Sequence, residues 1–186
     1  MKGIFCICAV VLTAFTLTHA QKPNDVISTQ IKSLKAEKNI TLSYDPGSDS
    51  SKIMVYAENF DGKEAKKAGI RAMNFGMAFF YAGNALAAPP ESINLTFWIL
   101  TESPKFAAAH TWNIPLANET LDLGDARYAA KPRESMEYLN FVITHSDLTK
   151  ITAGSNVKFH LGTSEFTFTP AQLTLLKNLL AVSDTR

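Results

Sequence analysis

The side chains that could do chemistry in this chain are few and far apart. Beyond His19 near the start, histidines stand at His110, His145 and His160. A zinc site needs at least one close ligand pair, at i, i+4 on a helix or i, i+2 on a strand. None of these three has a histidine neighbour at such a spacing, so the sequence predicts separate structural or surface histidines and no metal. His145, Ser146 and Asp147 are consecutive. A nucleophile, base and orienting acid must converge in space, and adjacent residues point apart. No G-x-S-x-G turn is present to expose a serine. The triplet reads instead as the start of a short helix capped by Ser146 or Asp147. Glu102, Glu119, Asp122, Asp125, Glu134 and Glu137 are scattered, whereas glycoside hydrolysis needs two carboxyl groups across a cleft. The glycine patterns that cradle phosphate are missing as well. An acidic turn at Asp45, Ser48 and Asp49 lacks the carboxylate spacing and closing glutamate of a calcium loop. The expectation is no catalytic residue, no cofactor and no metal.

Aromatic side chains are the remaining candidates. Tyr56, Trp98, Trp112 and Tyr128 could line a groove for an apolar or sugar ligand. Core packing is the competing reading for each. Trp112, Tyr128 and Trp98 are taken as the ligand-binding candidates, with Trp112 foremost. It lies in a stretch, residues 112–128, that holds a proline and several turn formers, and binding residues gather on such loops.

The chain opens with a charged Lys2, an apolar run from Ile4 to Leu17 and a small-residue site at Thr18-His19-Ala20. That is the pattern of a secretory signal peptide, which assigns residues 1–20 to export. Cys6 and Cys8 lie inside it, so the mature chain is expected to be cysteine-free, with no disulfide, thiolate metal site or cysteine nucleophile. An exported domain without disulfides fits the bacterial periplasm or the extracellular space. Sequons at Asn39, Asn94 and Asn118 carry no weight in a bacterial chain. Lysines and arginines number 18 against 17 acidic residues. Removing Lys2 leaves 18 − 1 = 17 against 17. The only basic cluster runs from Lys63 to Arg71, too small a footprint for nucleic acid. No stable membrane span is expected after signal cleavage, because no later apolar run reaches about 20 residues.

These residues need elements to hold them. Residues 63–86 read as a long central helix. At 100° per residue, Ala65, Gly69, Ala72, Met73, Gly76, Phe80 and Gly83 share one face. The three glycines, seven apart, would form a notch for close packing. Pro89-Pro90 would end the helix. Ile27, Ile31 and Leu34 mark a short N-terminal helix. Residues 39–45 and 52–57 read as a β-hairpin, and 92–101 as the strongest strand. Residues 106–111 read as its partner, 112–123 as irregular, and 124–130 as a weak strand. Residues 134–144 read as a strand, followed by a helical turn that Gly154 stops. Residues 156–161 and 165–169 form a second hairpin. Thr169-Pro170 opens a C-terminal helix, about 170–182, with Thr169 as cap and Pro170 at its first position.

The fold class expected is α+β: a mostly antiparallel sheet packed on the central helix, with the C-terminal helix and a short N-terminal one. Residues 21–38 form a helix or arm, and 39–186 one domain. The function expected is an exported, non-catalytic binding or interaction domain for a protein or small molecule. Two alternatives stay open. One is an exported hydrolase with its site near the 112–128 loop. The other is an envelope-assembly subunit, a homo-oligomer formed through a sheet edge or the glycine stripe.

Overall fold

A computed structural model describes residues 23–33, 39–57, 60 and 62–184. It shows a mixed α+β fold of antiparallel strands and four helices, with no long central helix. The chain runs α1 (Pro23–Ser33), β1 (Ile40–Asp45), β2 (Ser50–Ala57), α2 (Gly62–Lys67), β3 (Ala72–Ala82) and β4 (Ser92–Leu100). It continues through β5 (Thr111–Pro115), β6 (Thr120–Asp125), β7 (Arg127–Lys131) and β8 (Met136–Thr144). Last come α3 (His145–Ala153), β9 (Lys158–Leu161), β10 (Ser164–Thr167) and α4 (Pro170–Ser183). Six strands form one sheet in the order β1-β2-β3-β4-β8-β7, and four form another in the order β10-β9-β5-β6. All pairings are antiparallel.

The segment expected to be the central helix is the middle of the large sheet. Only Gly62–Lys67 is helical, and Ala72–Ala82 is a strand paired with β2 on one side and β4 on the other. Met73, Phe75, Met77 and Phe79 are buried, alternating with Asn74, Gly76, Ala78 and Phe80. A period of two therefore underlies a stretch whose seven-residue glycine spacing imitates a helical face. The three glycines fall in three different segments. Gly69 follows α2 with φ +71°, its amide bonded to the Lys66 carbonyl at 3.0 Å, the left-handed ending that glycine favours. Gly76 lies mid-strand, and Gly83 turns the chain at φ +69°. There is no notch.

Other expectations are also corrected. Residues 102–110 are irregular rather than a strand, and the stretch read as irregular contains β5 and β6. Glycine in the left-handed region at Gly124 (φ +76°) marks the end of β6. The expected cysteine-free chain is corrected too. The chain carries Cys6 and Cys8, and the expectation had set residues 1–20 aside. Both cysteines, and the signal-peptide reading itself, lie outside the described residues. The hairpins, β4, β7, β8, α3 and α4 stand close to where the sequence places them. The cap of α3 is Thr144, not Ser146. Thr144 and Asp147 form a reciprocal capping box, as do Thr169 and Gln172 on α4.

The core lies between the sheets and under the helices. From the large sheet come Ile53, Val55, Phe75, Phe79, Leu95, Phe97, Leu139 and Phe141, all buried. The small sheet contributes Trp112, Ile114, Phe159 and Phe166. Phe60, just before α2, touches Phe75 and Phe97 of one sheet and Phe159 and Phe166 of the other, with ring centroids 5.5–6.2 Å apart. α4 packs on β2 and α3, and α1 adds Ile27 and Ile31 against it. Among the described residues no helix is long and apolar enough to cross a membrane.

Candidate ligand-binding face

Alternation in the strands sends one set of side chains into the core and leaves the other on the outward face of the large sheet. That face carries Tyr56, 47% exposed, Phe80, 55% exposed, and Val142, 67% exposed. Between them Asn74, Thr96, Trp98, Tyr138 and Asn140 are half-buried by their neighbours.

Register places these residues in rows. Tyr56 pairs with Gly76, Gly76 with Thr96, Thr96 with Asn140, and Asn140 with Arg127. At about 4.8 Å per strand, that row spans about 19 Å. The next row runs Asn74, Trp98, Tyr138, Ala129. Trp98 leans diagonally across Gly76 to stack on Tyr56, with centroids 5.1 Å apart and planes 15° from parallel. Only the missing side chain permits this. A Cβ on Gly76 would lie 2.6 Å from the Trp98 ring and 3.2 Å from the Val55 carbonyl oxygen. The middle of the first row is held by hydrogen bonds. Thr96 Oγ1 donates to Asn140 Oδ1 at 2.8 Å, and Asn140 Nδ2 donates to the Arg127 carbonyl at 3.2 Å. Beyond it opens a cleft of about 690 Å³, lined by Asn94, Thr96, Asn140, Val142, Arg127 and, from β6, Asp125. Lys52 lies 5.7 Å from the centre of the Phe80 ring, and Lys131 5.6 Å from that of Tyr138.

The three sequence candidates do not come together. Trp98 is on the outward face. Trp112, on β5 of the small sheet, is fully buried against the inner face of the large one, with Phe97 at 5.5 Å and Phe141 at 5.2 Å. Its Nε1 has no hydrogen-bond partner among the described residues. The proline beside it is the last residue of β5, not a sign of a loop. Tyr128 faces inward from β7 and is half-buried. Its hydroxyl donates to Glu137 Oε1 at 3.1 Å, and its ring stacks on His110 at 5.9 Å. Burial, and then the Glu137 hydrogen bond and charge, hold the Tyr128 hydroxyl above its ordinary pKa.

Glu137 is the polar residue that linear spacing undervalued. It is 1% exposed. Oε1 also accepts from the Phe106 amide at 3.0 Å, while Oε2 accepts from the Lys105 amide at 2.9 Å and from Thr101 Oγ1 at 3.3 Å. Four donors satisfy this carboxylate, and in doing so they pin the irregular 102–110 segment to β8. Its place in the strand was the available signal: Glu137 shares its parity with Leu139, Phe141 and Ile143, so a charge sat in an inward register. The group contains a carboxylate, a phenol and an imidazole, but each atom named is spent on structure. His110 Nδ1 is 3.1 Å from the Phe106 carbonyl oxygen.

The other histidines are elsewhere. His145 Nε2 is 3.0 Å from Ser183 Oγ and 3.1 Å from Asp184, tying α3 to the end of α4. The Ser183 hydroxyl donates to the Leu180 carbonyl at 2.7 Å. His160 is on β9, 3.9 Å from Glu165. Among the described residues no three metal-ligating side chains form a group. No protein-family model, curated protein or solved structure matches the chain.

Proposed function

We propose that this chain is an exported, non-catalytic binding domain and that its ligand settles on the outward face of the large sheet. One observation carries the reading: the stacked Tyr56–Trp98 pair lies beside the ordered row Thr96–Asn140–Arg127 on a sheet surface left open to solvent. Exposed aromatics next to preset polar groups are the composition of a recognition surface. The N-terminal charged, apolar and small-residue pattern supports export. The alternative of a hydrolase near residues 112–128 draws less support, because Trp112 is buried and Tyr128 is engaged with Glu137.

The chain has two tryptophans, and only Trp98 faces outward. Tryptophan emission therefore reports on this face. Screening peptides, glycans and small apolar molecules against the full chain should find a ligand that shifts the emission. Measured by calorimetry, which needs no tryptophan, binding should weaken at least about tenfold in Trp98→Ala and in Tyr56→Ala. A ligand bound equally well by both variants would place recognition elsewhere and end this reading.

A further inference from the structure

The charges on the outward face narrow the kind of molecule it fits. The outward positions of the six strands hold Lys52, Arg127 and Lys131. The one acid among them is Asp45, at the very end of β1, whose carboxylate accepts from the Gly47 amide at 2.9 Å and from Ser48 Oγ at 2.7 Å. Asp125 stands at the rim of the cleft, on the other sheet. Lys131 reaches Glu134 at 3.5 Å, just beyond the end of β7. The outward strand positions thus carry three cations against one acid, with Asp125 and Glu134 at their margin, in a chain whose formal net charge is +1.

We propose that the occupant is an acidic polysaccharide, a chain of sugars bearing carboxylates, lying along the row from Tyr56 to Arg127. This deepens the binding reading above and depends on it. Three features favour that ligand. The apolar C–H face of a pyranose ring suits an exposed aromatic pair. The fixed amide of Asn140 with Thr96 and Asn94 offers donors and acceptors to ring hydroxyls. Arg127, at the end of the row, can take a carboxylate through two parallel N–H bonds. Neutral polar side chains outnumber cations here, which fits a ligand rich in hydroxyls and sparse in charge. A nucleic acid carries a charge at every step and calls for a denser basic surface. A second copy laid face to face would oppose Lys52, Arg127 and Lys131 with their own kind.

The test uses the full chain, a hyaluronan oligomer, which bears a carboxylate on every second sugar, and its fully methyl-esterified form. The two probes share the same sugars and differ in charge. Titrations are read by isothermal calorimetry in every variant, with Trp98 emission as a second signal where that residue is kept. The free acid should bind, the ester at least about tenfold more weakly, and added salt should weaken the acid selectively. Arg127→Gln should remove the preference for acid while leaving the fold, checked by circular dichroism, unchanged. Equal binding of acid and ester, with loss in Trp98→Ala, would overturn the charged ligand yet leave the binding face standing. A single-stranded oligonucleotide that outcompetes the acid would overturn it in favour of nucleic acid. Acid binding unaltered in both Trp98→Ala and Arg127→Gln, or no binding of either oligomer, would also overturn it.

Discussion

Glu137 shows how much one side chain can hold in place. Its four hydrogen bonds join β8 to Thr101, to the Lys105 and Phe106 amides, and to Tyr128 on β7. A glutamine of the same shape would turn one acceptor into a donor and set it against donors already pointing inward. Glu137→Gln should cost about 3 kcal/mol in urea denaturation, an unpaired buried donor costing about 1–3. The Lys105 and Phe106 amides should then exchange with deuterium far faster than in the parent. Tyr128 adds a pH signature. Its folded pKa lies above the ordinary value of 10.0, so the folded state holds this proton more tightly than the unfolded one. The corresponding stability is complete below about pH 10 and is lost as pH rises through the folded pKa. Tyr128→Phe should be less stable than the parent at neutral pH by about 1.5–3 kcal/mol, the worth of a hydrogen bond to a charged group. Part of that gap should close under alkali, as followed by chemical denaturation at several pH values. Linear spacing, on which the expectation of no catalytic residue rested, could not show this convergence. The donors lie between 9 and 36 residues from Glu137 along the chain. Trp112 misled for a related reason. Its neighbours Asn113 and Pro115 are turn formers by type, yet in β5 the parity alternates, with Trp112 and Ile114 buried and Pro115 at the exposed end.

At the scale of elements, patterns carrying a strong period were legible and those built from ambiguous residues were not. β4, β8 and the two hairpins alternate plainly, and α4 announces itself through Thr169-Pro170 and its leucines. β3 does not. Alanine, methionine, glycine and phenylalanine suit either period, and helix propensity is a weak guide that pairing on both edges overrides. Glycine every seven residues then strengthened the wrong choice. Asn74-Phe75-Gly76-Met77 nonetheless contains the outward gap that Trp98 fills. Gly76→Ala should force the Trp98 ring away, costing about 1–3 kcal/mol by overpacking. Trp98 emission should shift toward the red and become more accessible to acrylamide as the stack with Tyr56 opens. An unchanged spectrum would mean that the ring does not lie over Gly76.

Across the whole molecule, Phe60 joins the layers. It contacts rings from β3, β4, β9 and β10, although the sequence around it offers no more than one aromatic in a polar turn. Phe60→Ala should cost about 3–5 kcal/mol, in the range for truncating a buried phenylalanine, with both sheets melting together in a thermal scan. Loss of one sheet's signal before the other would refute its bridging role. The two-layer arrangement itself was hidden from the sequence. Non-local pairings such as β5 with β9 and β4 with β8 leave no trace in any window of residues.

One small joint has a larger consequence. A single residue, Ala126, separates β6 of the small sheet from β7 of the large one. It is buried, and its amide bonds to the His110 carbonyl at 3.1 Å. A hinge works by spreading a change in φ and ψ over residues free to turn, and this junction offers none. The buried joint ties the two layers together at that edge and resists their opening like jaws. If the outward face binds as proposed, its ligand meets a surface shaped in advance, and the ordering that docking demands falls on the visitor and on a few rotamers.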